Sequence, residues 1–332
     1  MSQYAQVVAA VVALLVSALV GKFLVPFLRK MHFGQTINEI GPKWHKKKQG
    51  IPTMGGFMFI IGAILALLVA YPLLGQLGEQ ADNLQLVVLA LVTTLAFSAV
   101  GFLDDYLKVA HKNNLGLNAK GKLVLQSGIA ICFMVALHFA GRLSTVIMLP
   151  VVGGIDLGWL FYPLAFVLIV GMVNAVNLTD GLDGLAGSVT FWVMCGYMVL
   201  MLLAGQQRLS VLAAALAGGC AGFLVWNFYP AKVFMGDTGS MFLGGAVVTL
   251  GFCMGSPELV IVLGLVYLLE ALSVMIQVTY FKLTHGKRLF KMTPIHHHFE
   301  MLGWSEIKII VLFCIVTIIC VALACVYGFL VF

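Results

Sequence analysis

Runs of about twenty apolar residues recur from one end of this chain to the other, and about twenty is what a helix needs to cross the ~30 Å hydrocarbon core of a bilayer. A water-soluble fold has no interior for so many. Of the 332 residues 61% are hydrophobic and 10% charged, whereas soluble domains carry roughly a quarter charged residues. The chain is therefore read as an all-α polytopic integral membrane protein, one transmembrane domain over 1–332 with no soluble appendage.

Spans fit at about 4–28, 54–72, 85–103, 122–140, 159–178, 185–204, 209–227, 239–255, 258–283 and 306–330. The first follows an uncharged Met1-Ser2-Gln3-Tyr4 and precedes Lys22, Arg29 and Lys30, so it is expected to be retained with the N-terminus outside rather than cleaved as a signal peptide. Ten crossings then bring both termini outside. All Lys and Arg except Arg142 and Arg208 fall in cytoplasmic segments or adjoining helix ends, the asymmetry expected of that orientation. The net charge of +6 does not point to nucleic acid, because no basic, aromatic-studded domain lies outside the spans. The seven Cys sit inside apolar runs without metal-type spacing and read as small buried hydrophobes. Outer connections are short except 141–158, where Gly153-Gly154 and Asp156 point to a small hairpin or a surface helix. The spans do not divide into matching halves, which speaks against a transporter built on inverted repeats.

The chemistry gathers at the cytoplasmic helix ends. Asp104, Asp105, Asp180, Asp183 and Asp237 all fall there, although an aspartate within a spanning helix costs about 2.5–3.5 kcal/mol. Adjacent Asp104 and Asp105 can hold a divalent metal, or one can act as a base beside it; capping and solvated helix-end charge are the plainer alternative. In Asn174-Ala-Val-Asn177-Leu-Thr-Asp180-Gly181-Leu-Asp183-Gly184 a polar residue falls every third position, a stripe that on a helix lines a cavity. Glycine at 181 and 184 allows close approach. Asp237, between glycines and just before a span, stands at a helix N-terminus suited to a phosphate or its metal, and Phe234 can stack on a flat base. Pro294-Ile-His296-His297-His298-Phe-Glu300 reads as imidazoles facing phosphates, since consecutive histidines rarely converge on one ion. In His45-Lys46-Lys47-Lys48 the run itself attracts anionic lipid, the role given to Lys46 and Lys47. Pro52, Thr53, Gly55 and Gly56 shape a loop from which Lys48 can reach a site. Acids, lysines, histidines and an aromatic at one membrane face match phosphoryl transfer, and the membrane setting implies a lipid substrate.

In this order, Gly50-Ile-Pro-Thr-Met-Gly-Gly, Phe102-Leu-Asp-Asp-Tyr, the 174–186 motif, Val233-Phe-Met-Gly-Asp-Thr-Gly-Ser and Pro294-Ile-His-His-His-Phe-Glu resemble the bacterial phospho-N-acetylmuramoyl-pentapeptide transferase family. The wider polyprenyl-phosphate N-acetylhexosamine-1-phosphate transferase superfamily shares the paired aspartates and the Asn-x-x-Asp-Gly-x-Asp-Gly pattern; the histidine segment points to the muramoyl member. The resemblance implies Mg²⁺-dependent transfer of phospho-MurNAc-pentapeptide from UDP-MurNAc-pentapeptide to undecaprenyl phosphate, giving lipid I and UMP, in the bacterial cytoplasmic membrane. It implies Asp237 as the metal ligand, Asp104 as the base toward the lipid phosphate and Asp105 as a support to either. Lys122 matches the site lysine, with Lys120 close enough to compete for that role. Lys48, Asp183, Asn227 and Phe234 match the uridine pocket, with Asn174 and Asp180 beside it, and Thr53, Gly181 and Leu182 count among the substrate-binding positions. His296 and His297 match the diphosphate path. Gln277, in the ninth span, matches a polar site residue or makes an interhelical hydrogen bond. Direct attack and a covalent aspartyl intermediate both remain open. Twofold symmetry, common among oligomers, and family precedent point to a homodimer. The rivals are a UDP-GlcNAc-using sister transferase and, in another class, a transporter or flippase.

Overall fold

A computed structural model describes residues 4–31, 48–75, 84–111, 116–149 and 152–332; His45, Lys46 and Lys47 lie outside the described residues. Among the described residues, ten helices are long and apolar enough to cross a membrane. In chain order the helices are α1 (Ala5–Lys30), α2 (Phe57–Ala70), α3 (Leu84–Ala110), α4 (Ala119–Phe139), α5 (Phe161–Thr179), α6 (Leu185–Leu203), α7 (Gln207–Asn227), α8 (Gly236–Met254), α9 (Glu258–Leu263), α10 (Leu265–Leu283), α11 (Ile295–Met301) and α12 (Glu306–Val331).

α8 is the axis of the molecule. Its apolar window is 94% buried, against 22% for α1 and 28% for α4 and α10, so α8 meets protein on every side while the peripheral helices leave one face to lipid. Glycine makes the close fit: a Cβ at Gly101 would strike the Asp237 carbonyl, and one at Gly56 would collide with Gly239. Buried α8 needs no polar face toward solvent, and beyond its first turn, where Asp237, Thr238 and Ser240 stand, its sequence is mainly apolar.

Three expectations need correction. The ninth span is not one helix: it breaks at Gly264 between α9 and α10. The missing side chain admits the Met172 thioether of α5, which a Cβ would hit, and in an apolar run that glycine carries no mark of a break. The third span runs on to Ala110, which puts Asp104 and Asp105 on the helix instead of at its end. The 141–158 stretch forms an antiparallel hairpin, β1 (Val146–Leu149) on β2 (Gly153–Asp156), the single departure from all-α among the described residues. Cys132 is exposed and Cys195, Cys314 and Cys325 half-exposed, because an apolar run facing lipid looks the same as one facing a core.

Successive spans alternate direction. The C-terminal ends of α3 and α5 therefore share one end of the bundle with the N-terminal ends of α4 and α8, the loop before α2 and the α10–α12 connection.

Candidate active site

Three carboxylates meet at that end. One oxygen from each of Asp104, Asp105 and Asp237 lies within 4.8 Å of the others. Their roles separate at once by what they touch. Asp105, buried, accepts the backbone N–H of Asp237 at 3.1 Å and both the N–H and the hydroxyl of Thr238 at 2.9 and 2.7 Å. It caps the first turn of α8 from α3, a charged acceptor at the positive end of the helix dipole. Gly236, at φ 71°, turns the chain into that cap where a side chain would meet Asp105 Oδ2 and Thr53 Oγ1.

Asp237 is held from three other helices. Lys122 Nζ of α4 lies 2.7 Å from its Oδ2, Lys108 Nζ of α3 3.1 Å from the same oxygen, and Asn177 of α5 donates to Oδ1 at 2.8 Å. Lys108 also pairs with Asp104 at 2.5 Å, one turn along α3, and Lys122 lies 3.7 Å from it. Asp104 Oδ1 accepts Leu117 N–H at 2.8 Å, which ties in the segment before α4. Lys120, by contrast, is exposed and makes none of these contacts. Sequence reading places Asn177 only in the 174–184 polar stripe and gives Lys108 no site role. The four-residue step from Asp104 to Lys108 and the three-residue step from Asn174 to Asn177 are the signals that pointed to them.

The loops around this cluster are stitched together by other candidates. Thr53 stands beside Gly236, and the 52–56 loop pairs with the 233–235 segment through Phe234 N–H to Pro52, Gly55 N–H to Phe234 and Gly56 N–H to Met235. Phe234 is half-buried there. Lys48 bridges Asp183 at 2.7 Å and Glu306 at 2.8 Å. Burial alone would lower the Lys48 pKa, but the hydrogen bonds and charges of those two acids raise it above its ordinary value. Asp183 also accepts Ala231 N–H at 2.9 Å. The Asn227 amide joins Gly184 N–H to the Val233 carbonyl. Asp183 and Asn227 thus tie together the segments around the cluster, and Leu182 is buried. Asp180, at the end of α5, has its carboxyl pushed up to about 8 by burial and then by the charges of Asp237, Asp105 and Asp183.

Asn174 sits one turn below Asn177 and exchanges amide hydrogen bonds with Gln126 of α4, so it joins two helices rather than reaching the cluster. Gln277 accepts Leu289 and Phe290 N–H at 3.1 and 2.9 Å and donates to the Phe290 carbonyl. It holds the loop after α10, a third arrangement beside the two expected. His296, fully buried, binds Glu270 of α10 through Nδ1 at 3.0 Å, and its Nε2 abuts Gly181. His297 pairs with Glu300 at 2.6 Å, and His298 accepts Lys291 N–H. Glu306 and Glu270 were missed; each is a lone acid at or inside an apolar run, a signal in itself.

Hard carboxylate oxygens flanked by two lysines and an amide make a site for a divalent cation and phosphate groups. The family model described as Glycosyl transferase family 4 matches residues 87–255. A phospho-N-acetylmuramoyl-pentapeptide-transferase of Caldicellulosiruptor bescii is 43% identical over 96% of this chain and 96% of its own length. Proteins of the same name from Heliobacterium modesticaldum, 45% identical over 91% of each chain, and Bacillus subtilis, 44% over 90% of each, are similarly close.

Proposed function

This chain belongs to the phospho-N-acetylmuramoyl-pentapeptide-transferase family, and on that premise we propose that it transfers phospho-MurNAc-pentapeptide from UDP-MurNAc-pentapeptide to undecaprenyl phosphate, forming lipid I and UMP. The observation that carries the reading is the convergence of Asp104, Asp237, Lys108, Lys122 and Asn177 at one end of a membrane bundle. A lipid phosphate can approach that end from the bilayer and a nucleotide from water. The asymmetry of Lys and Arg supports a site facing the cytoplasm with both termini outside, in the cytoplasmic membrane of a bacterium. Homodimerisation is part of the same reading.

By the direct route, an oxygen of the lipid phosphate attacks the phosphorus attached to the sugar. A new P–O bond forms, the bond from that phosphorus to the bridging oxygen breaks, and UMP leaves with the electron pair. In this reading Asp104 takes a proton from the incoming phosphate, and Lys108 and Lys122 supply positive charge to its oxygens. Asp237, with Asp104 beside it, would hold Mg²⁺, since clustered carboxylate oxygens are the donors that ion takes. When bound, the ion offsets the diphosphate charge. Lys48, Phe234 and the 180–183 loop form the side expected to take the uridine, and Asp183 and Asn227 keep that side in shape.

The test is UMP release by detergent-purified protein given both substrates, with and without Mg²⁺ and with UDP-GlcNAc in competition. Release that requires Mg²⁺ and the muramoyl substrate fits the proposal. Release with UDP-GlcNAc alone assigns the chain to the sister transferases, and substrate flux without UMP release assigns it to transport.

A further inference from the structure

α10 leaves most of its surface exposed, yet one stripe of it is buried and polar: Glu270, Ser273 and Gln277. Gln277 holds the loop that follows, as described above. Glu270 holds nothing structural of that kind. Both Glu270 and His296 are 0% exposed, and the carboxylate takes the ring at Nδ1. Among the described residues, His296 Nε2 and Glu270 Oε1 have no hydrogen-bond partner.

A carboxylate inside a spanning helix is expensive and marks a functional position by default. Polar atoms buried without partners are rare in folded proteins. A pair placed only to join α10 to α11 would leave neither. The geometry instead gives the ring a direction. With a carboxylate at Nδ1, that nitrogen carries the hydrogen and Nε2 is the end left to act. Nε2 points at the Gly181 backbone, where a Cβ would strike it. Gly181 separates Asp180, which lies in the field of Asp237 and Asp105, from Leu182 and Asp183, the partner of Lys48. The ring is therefore presented across a side-chain-free position to the loop between the carboxylate cluster and Lys48.

We infer that Glu270 is a positioning residue for the transfer: by binding Nδ1–H it fixes the tautomer and orientation of His296, so that Nε2 is offered across Gly181 as an acceptor to an O–H or N–H of the bound substrate. The inference rests on the transferase reading. Charged and titratable groups around the ring are Glu270 on α10, His297 and Glu300 on α11, with the His297 ring 4.1 Å away, and Asp180 on the α5–α6 loop. Of these, Glu270 bonds the ring directly.

The experiment measures kcat and KM for UMP release from the muramoyl substrate by the purified full chain, carrying Glu270→Gln, Glu270→Asp, His296→Ala and the Glu270→Gln/His296→Ala pair. Glu270→Gln keeps the shape but offers an N–H as readily as a carbonyl, so the tautomer is no longer fixed. We expect its kcat to fall roughly tenfold or more, the scale of lost outer-shell partners, with KM nearly unchanged, and Glu270→Asp to recover part of the loss. In the His296→Ala background Glu270→Gln should change kcat no further. A wild-type kcat in Glu270→Gln, or a loss that multiplies with that of His296→Ala, overturns the inference. If Glu270→Gln does not fold, Glu270→Asp carries the test: its shorter arm should lower kcat at constant KM, and an unchanged kcat overturns the inference. Failure of the wild-type chain to release UMP overturns the transferase reading itself, an outcome distinct from any behaviour of the Glu270 variants.

Discussion

Asp105 on α3 accepts both the backbone N–H and the hydroxyl of Thr238 on α8, so one helix of the bundle caps another at the point where the carboxylates meet. Asp105→Asn turns a donor toward those donors. Leaving them buried and unsatisfied costs about 1–3 kcal/mol, so the variant should melt several degrees lower in detergent and lose turnover as Asp237 loses its seat. A variant that melts like wild type would remove Asp105 as the cap of α8.

Asp237→Asn should lower turnover by roughly 1000-fold or more while the protein stays folded, because an amide cannot replace carboxylate charge toward a divalent cation. Kinetics at saturating Mg²⁺, with a melting curve of the same preparation, check this. Full activity in that variant sinks the metal assignment.

Lys122 and Lys120 differ by two positions in sequence but not in kind. Lys122→Ala should lower kcat about 100-fold, as loss of one charge-stabilising donor does, whereas exposed Lys120 replaced by Ala should leave kcat within about twofold. Reversal of that order would transfer the site role to Lys120.

The Asp180 carboxyl, pushed up to about 8 from its ordinary 3.8, keeps its proton in the folded protein over a range where the unfolded chain has lost it. Between those values the unfolded state binds fewer protons, so stability falls as pH rises from about 4 to 8. In metal-free protein the melting temperature of wild type should therefore drop, relative to Asp180→Asn, across that window. Parallel curves for the two proteins would mean that neither burial nor the surrounding carboxylates raise the Asp180 carboxyl.

Gln277→Leu strips the Leu289 and Phe290 N–H groups of their acceptor. Trypsin should then cut the 282–291 segment faster than in wild type, with a modest loss of kcat. A raised KM at unchanged proteolysis would instead make Gln277 a substrate contact.

Most of the bundle was legible because hydrophobic length is a one-dimensional signal: each span is announced by its own residues. The break at Gly264 was not, since the glycine there makes room for Met172, on another helix, and nothing in its own apolar run marks it. The site divides the same way. Asp104, Asp105, Asp237 and Lys122 stood out as charges at membrane ends and do come together. Asp183, Asn227, Asn174 and Gln277 stood out equally, and each finds partners within the chain: Lys48 and backbone for Asp183, backbone for Asn227 and Gln277, and the Gln126 amide for Asn174. Polarity at membrane depth signals a need for a partner, and only the fold says whether that partner is a ligand or the chain itself. Glu270 escaped notice because a single acid barely dents the hydropathy of a span.

The cap on α8 also bears on how the protein is made. A ribosome releases α3 well before α8, and Thr238 follows Asp105 by 133 residues. Asp104 has an escort from the start, because Lys108 lies one turn along the same helix. Asp105 gains its donors only when α8 arrives between its neighbours. The nascent protein thus carries an unmet carboxylate through four further helix insertions, α4 to α7, and the reaction centre closes late in biogenesis, as α8 enters.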